Sequence, residues 1–178
     1  GAMLVCLPLG IGSALYINEI AGNTQKAVLK PLVELLAGIP SIVFGFFGMV
    51  VVAPFLQRLL HIPTGLCAFT ASLILGIMAV PTVCSLSDDA LSYVPASYRE
   101  ASLALGATRW ETLIKVVLPA AGSGISTAAI LGFSRVMGET MTVLMVSGGA
   151  AIIPRSFFQP VRPLTSTIAA EMGEAAVG

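Results

Sequence analysis

Residues 99–120 read REASLALGATRWETLIKVVLPA, and this stretch decides what the chain is. It carries Arg99, Glu100, Arg109, Glu111 and Lys115, together with the only tryptophan, in a sequence that has nine basic and nine acidic residues in all. Helix formers alternate here with polar positions. Pro95 followed by Ser97 predicts a helix start with Ser97 as N-cap and Glu100, three residues on, completing a capping box. Gly106 interrupts, and Thr108 with Glu111 repeats the spacing for a second helix. Two short helices joined at a glycine, whose φ is unrestricted, make an elbow. Its apolar side (Ala101, Leu103, Leu105) is expected to meet a partner while Arg99, Arg109 and Lys115 stay solvated. Helix patterning alone fits an amphipathic interfacial loop equally well.

The surroundings of this island are apolar. Of the 178 residues, 56% are hydrophobic and 10% charged, with mean hydropathy +0.95. A soluble domain carries about a quarter charged residues, so the expectation is a polytopic membrane protein. The formal net charge is zero, which argues against a nucleic-acid partner. Cys6, Cys67 and Cys84 stand singly in apolar runs without metal-ligand spacing and read as small buried hydrophobes. His61 is the only histidine, with no ligand-spaced companion, and reads as an interfacial residue. No metal site and no catalytic residue is expected, since no nucleophile–base constellation is present. The opening GAML enters an apolar run at once, without the basic region of a secretory signal.

Four segments are apolar over the roughly 20 residues that a bilayer requires: about Met3 to Ile20, Leu32 to Leu56, Thr64 to Leu86 and Pro119 to Val146. Gly38, Pro40, Gly45 and Gly48 lie inside the second, where small residues allow close helix contact and a proline a kink. After residue 146, Gly and Pro predict a loop, followed by a short helix. Alternating spans put Lys26, Lys30, Arg99, Arg109 and Lys115 on one side and Arg58, Arg155 and Arg162 on the other. The excess of basic residues predicts that the first side is cytoplasmic.

The spacing within the island is specific. Glu100-Ala101-Ser102, three residues, Gly106, nine residues, Val116, one residue and Leu118-Pro119 resembles the EAA loop of ABC importer permeases, which reads Glu-Ala-Ala, three residues, Gly, nine residues, Ile, one residue, Leu-Pro. Ser102 and Val116 are the two departures. The resemblance implies an all-α polytopic helical bundle of the type I (MetI-like) permease class, with about four spans. It implies a single permease domain over 1–178, the cytoplasmic coupling loop occupying 88–119. Glu100, Ala101, Ser102, Gly106, Arg109, Leu118 and Pro119 would couple it to the ATPase. No GxxxxGK[ST] occurs, so ATP would be bound and hydrolysed by a partner subunit. The chain needs no cofactor of its own and is not expected to be an enzyme.

The stretch AAILGFSRVMGETMTVLMVSGG places Arg135 and Glu139 in apolar surroundings. A charge near mid-membrane costs at least ~2.5 kcal/mol, so such residues face a partner or a wet cavity. Four residues apart on one helix they would share a face and be close enough to pair, which suits either a structural ion pair or a substrate path. RVMGETMTVLMVSGG, the following FFQPVRPLTSTIAAEMGEAAVG and the earlier LKPLVELLAGIPSIVFGFFG resemble the PstC-type permease subunits of phosphate ABC importers. That resemblance implies a translocation path carrying Arg135 and Glu139, the arginine to hold phosphate oxygens and the carboxylate to orient it or accept the proton of hydrogenphosphate. The implied partners are cytoplasmic ATPase subunits, a homologous PstA-type permease, an extracytoplasmic phosphate-binding protein and membrane lipid, in the cell membrane. The chain would be a core fragment of a longer subunit or a short version of it. The alternatives are a permease for another oxyanion (sulfate, molybdate or phosphonate) and a non-transporting membrane scaffold.

Overall fold

A computed structural model describes residues 1–174. Every regular element among the described residues is helical, apart from an isolated parallel bridge between Gly148 and Val161. Among the described residues, three helical stretches are long and apolar enough to cross a bilayer: Ala2–Ile20, Ser41–Leu60 and Ala68–Ser92. A fourth is available if Arg109–Ala120 and Gly122–Met137, bent by 67° at their break, count as one. The first comprises α1 (Ala2–Leu15) and a π-helical turn, Tyr16–Ile20. The second joins α3 (Ser41–Phe47) through a π-helical turn at Gly48–Val52 to α4 (Ala53–Leu60). The third is α5 (Ala68–Ser92).

Two of the expected spans need correction. The apolar run from Leu32 is divided, because α2 (Asn23–Ala37) stops at Gly38 and Pro40 adopts an extended ψ of 137°. Proline disfavours helical backbone in the residue before it, so Leu32–Ala37 belongs to the preceding helix and the span begins at Ser41. The run from Pro119 is divided at both ends. Pro119 lies in the short helical turn α8 (Leu118–Ala120), α9 covers Gly122–Met137, and Gly138–Thr140 separates α9 from α10 (Met141–Val146). The third span runs to Ser92, beyond the expected Leu86, because Asp88 and Asp89 find partners and need not end the helix. The tail forms the expected loop and helix, the helix being α11 (Leu164–Glu174).

The contacts divide the chain into two compact units. The first contains residues 1–5, 39–78 and 134 onward. In it α3 lies against α10 through glycine: a Cβ at Gly45 would come 3.0 Å from the Thr142 Cα, and one at Gly48 2.8 Å from a Val146 methyl. The Thr142 hydroxyl donates to the Ser41 carbonyl at 2.9 Å. The first backbone donors of α5 have no partner within their own helix. They are satisfied from the tail loop, Ala68 donating to the Gln159 carbonyl at 3.1 Å and Phe69 to that of Phe157 at 2.9 Å.

The second unit contains residues 6–38 and 79–133. Ala14, Ile17, Cys84, Leu91, Val94, Leu113, Val117 and Ala121 form its apolar core. Val83, fully buried, is received by two glycines: a Cβ on Gly10 or on Gly132 would stand 2.9 or 2.4 Å from its side chain. Cys6, Cys67 and Cys84 are buried free thiols.

Gly65 and Gly12 give a direct test of this packing. A Cβ at Gly65 would overlap the Ala53 carbonyl, whereas one at Gly12 meets nothing within 4 Å. Gly65→Ala should therefore cost about 3 kcal/mol, the upper end of overpacking penalties. Gly12→Ala, inside α1, should be neutral or gain up to about 1 kcal/mol. Thermal unfolding in detergent checks both.

Candidate functional site

The island folds as an elbow. Its first helix, α6 (Ala96–Ala104), begins one residue before the expected cap: Pro95 is the N-cap and makes no side-chain cap bond. Ser97 therefore lies inside the first turn, and Glu100 stays exposed without closing a box. The helix ends at Ala104, and Gly106 just beyond its C-cap Leu105 has a φ of +85°, in the left-handed region that glycine enters at least cost. There the Gly106 N–H donates to the Leu103 carbonyl at 2.9 Å. The second arm starts as the spacing predicts. The Thr108 N–H donates to Glu111 Oε2 at 2.9 Å, and the Glu111 N–H to Thr108 Oγ1 at 3.3 Å, at the head of α7 (Arg109–Thr112). These bonds from Thr108, backbone first, and the nearby Lys115 ammonium lower the Glu111 pKa. Ser102, a departure from the EAA pattern, has a structural use: its hydroxyl lies 2.9 Å from that of the buried Thr112 and joins the two arms.

A polar network that no local sequence pattern signals holds the elbow. Arg99, expected in solvent, is 25% exposed and faces Glu19 at 21%. Its Nε and Nη2 donate to Glu19 Oε1 at 3.0 and 2.6 Å, its Nη1 to the Val94 carbonyl at 2.8 Å and its Nη2 to the Leu91 carbonyl at 3.2 Å. Asn18, beside Glu19 in the π-helical turn, donates to Asp88 Oδ1 at 2.9 Å and to Ser92 Oγ at 2.8 Å. Asp88, buried, also accepts from Lys30 at 3.0 Å, and Asp89 accepts from the same ammonium at 3.1 Å. These two carboxylates raise the Lys30 pKa. Lys26 donates to the Asn18 carbonyl. In the sequence, Glu19, Asp88 and Asp89 mark only the ends of spans. The one signal of their pairing is that they fall at span ends assigned to the same side as Lys30 and Arg99.

The outward side of the elbow is apolar with charged neighbours. Glu100, Ala101, Arg109 and Pro119 are exposed, and Leu118 is half-buried. Leu105 is 89% exposed, and Leu103 and Trp110 are exposed as well. A cleft of about 410 Å³ is lined by Glu19, Ile20, Arg99, Leu103, Arg109, Trp110, Thr112 and Leu113. Grouped exposed apolar side chains of this kind mark an interaction surface.

Arg135 and Glu139 belong to the first unit, separate from the elbow residues. Arg135, exposed, sits in the last turn of α9. Glu139 lies beyond the end of that helix, so the four-residue spacing does not set it one turn above Arg135. Its Oε1 accepts from the Thr142 N–H at 3.1 Å, and its carbonyl accepts from the Thr165 hydroxyl at 3.2 Å. Glu139 thus caps α10 and ties the start of α11. Among the described residues, no group of three His, Cys, Asp or Glu could hold a metal ion.

Residues 7–170 match the family model for the binding-protein-dependent transport system inner membrane component. The chain is similar to the probable ABC transporter permease protein YqgH of Bacillus subtilis, with 43% identity over 98% of this chain and 57% of the relative. It is similar to the phosphate transport system permease protein PstC of Mesorhizobium japonicum, with 36% identity over 98% and 59%. A probable phosphate transport system permease protein PstC of Methanocaldococcus jannaschii shares 34% over 98% and 60%. The chain spans about three fifths of the length of these relatives.

The cap on the second arm yields a prediction. Thr108→Ala should cost about 1 kcal/mol and raise hydrogen exchange at the amides of residues 109–112. Because the Glu111 pKa is lowered in the folded state, its contribution is present above the unfolded value and lost as pH falls. Protection of these amides, corrected for intrinsic exchange, should weaken as the pH drops below the ordinary value of 4.5.

Proposed function

We propose that this chain, which belongs to the family of binding-protein-dependent transport system inner membrane components, is the permease core of an ATP-driven phosphate importer. The observation that carries the reading is the elbow between Glu100 and Pro119, with its glycine at φ +85° and its exposed Leu103, Leu105 and Trp110. A short helix held by the Arg99–Glu19 ion pair moves as a rigid body, so a partner pressing on its exposed face displaces the helix ends to which it is tied. The partner in this reading is a cytoplasmic ATPase subunit that binds and hydrolyses the ATP. Glu100 and Arg109 supply charge at the rim of that contact. Gly106 sets the angle between the arms, and Ser102 closes them.

Phosphate as cargo is supported by relatives named as phosphate permeases and by the chemistry of Arg135. A guanidinium presents a planar fork that meets two phosphate oxygens at once. Glu139 has four acceptor positions and gives one to Thr142, so its carboxylate can also accept the proton of hydrogenphosphate. Sulfate has no such proton at neutral pH. A homologous PstA-type permease and an extracytoplasmic phosphate-binding protein complete the assembly, with the elbow on the cytoplasmic side.

Phosphate uptake into vesicles containing the complete importer tests this reading. Charge-assisted hydrogen bonds contribute about 1.5–3 kcal/mol each, so Arg135→Ala should reduce uptake at least roughly tenfold while ATP is still hydrolysed. Glu139→Gln should weaken uptake and let sulfate compete. Normal transport by Arg135→Ala would remove the arginine from the path, and undiminished discrimination by Glu139→Gln would remove the carboxylate.

A further inference from the structure

The elbow has to act on something, and its polar contacts specify what. Arg99 is the residue before Glu100, on the helix that the partner would press. Its guanidinium binds Glu19 through two donors and the carbonyls of Leu91 and Val94 through the others. One rigid planar group therefore fastens α6 both to the end of the first span and to the end of the third.

The place where Glu19 sits is itself unusual. It lies in the π-helical turn Tyr16–Ile20, closed by the Ala21 N–H on the Tyr16 carbonyl at 2.8 Å. Such a turn holds one residue more than an α-turn. Returning it to α moves that hydrogen bond by one residue and rotates the chain beyond it by about 100°. The change is a discrete register step, of the kind that amplifies small displacements. Ile17 of this turn lies in the same apolar core as Leu113 and Val117, which begin and end the π-helical turn that follows the elbow's second arm. Asn18, between Ile17 and Glu19, is held by Asp88 and Ser92 of α5.

We propose that the Arg99–Glu19 ion pair is the strut that transmits elbow movement into the first span, with the π-helical turn Tyr16–Ile20 as the element that yields. The proposal rests on the reading of the elbow as a coupling loop. Arg99 and Glu19 are positioning residues: neither touches the cargo or ATP, and they determine whether movement of the elbow reaches the spans. Glu19→Ala removes the strut, while Arg99 keeps the Leu91 and Val94 carbonyls that hold α6 in place.

The test is hydrogen exchange on the complete importer with and without a non-hydrolysable ATP analogue, together with ATP consumed per phosphate imported. In the natural chain, nucleotide should change protection at residues 96–112 and 16–21 together. In Glu19→Ala the elbow should still respond, residues 16–21 should not, and ATP consumed per phosphate should rise at least tenfold. Glu19→Gln, which keeps an acceptor for Arg99, should fall between, and it decides the matter if Glu19→Ala does not assemble. Residues 16–21 still following the elbow in the variant, or an unchanged ATP ratio, would overturn the strut alone. An elbow that ignores nucleotide in the natural chain would overturn the coupling reading and the strut with it.

Discussion

The structure of the second unit depends on how a guanidinium is satisfied in a chain that is 56% hydrophobic. Arg99 is three-quarters buried, and a charge in that position is tolerated only with a counter-charge and full hydrogen bonding. Glu19 supplies the first. The Leu91 carbonyl in the last turn of α5, which also accepts from the Val94 N–H at 3.3 Å, and the Val94 carbonyl just beyond that helix supply the rest. The same contacts fix α6 against two spans. Removing a partner from a fully buried pair costs about 3–5 kcal/mol. An exposed pair contributes about 1 kcal/mol or less. With a fifth to a quarter of each side chain open to solvent, this pair falls between them, above the exposed Glu111–Lys115 contact at 3.6 Å.

Packing in the spans follows a different rule. Between helices in lipid the hydrophobic effect supplies little drive, so close fit and interhelical hydrogen bonds replace it. Val83 between Gly10 and Gly132, and Gly45 and Gly48 beneath α10, are places where a missing Cβ lets two backbones approach. Large side chains such as Leu4, Phe55 and Ile130 remain exposed, as residues of a lipid-facing surface do. Polar side chains gather near the ends of the first and third spans, where Asn18 and Lys30 meet Asp88 and Arg99 meets Glu19.

Much of this is legible in the sequence, and what is not has physical reasons. Composition alone demands membrane helices, and the Glu100 to Pro119 spacing points to a coupling elbow through its resemblance to the EAA loop. Gly106 and the Thr108–Glu111 box are local features, decided by residues within three positions of each other, and they fold as read. The helix breaks at Pro40 and Gly138 are obscured because hydropathy averages over a window and does not register the backbone limits of single residues. Arg99 reads as solvated because its partner lies 80 positions away and no periodicity joins the two. The spacing of Arg135 and Glu139 suggests one helix face, but it presupposes that the helix continues, and it stops at Met137.

In the proposed reading, an elbow fastened through Arg99 and apolar on its outer face receives displacement from the ATPase and delivers it to the spans. Gly106 sets its shape, at a φ that proline cannot adopt and with an N–H, bonded to Leu103, that proline lacks. The most direct measurement is phosphate import and ATP hydrolysis recorded side by side for the complete importer carrying Gly106→Pro. The account predicts that import is lost and that hydrolysis no longer responds to phosphate delivered by the binding protein. Import at the natural rate, with hydrolysis still responsive, would contradict it.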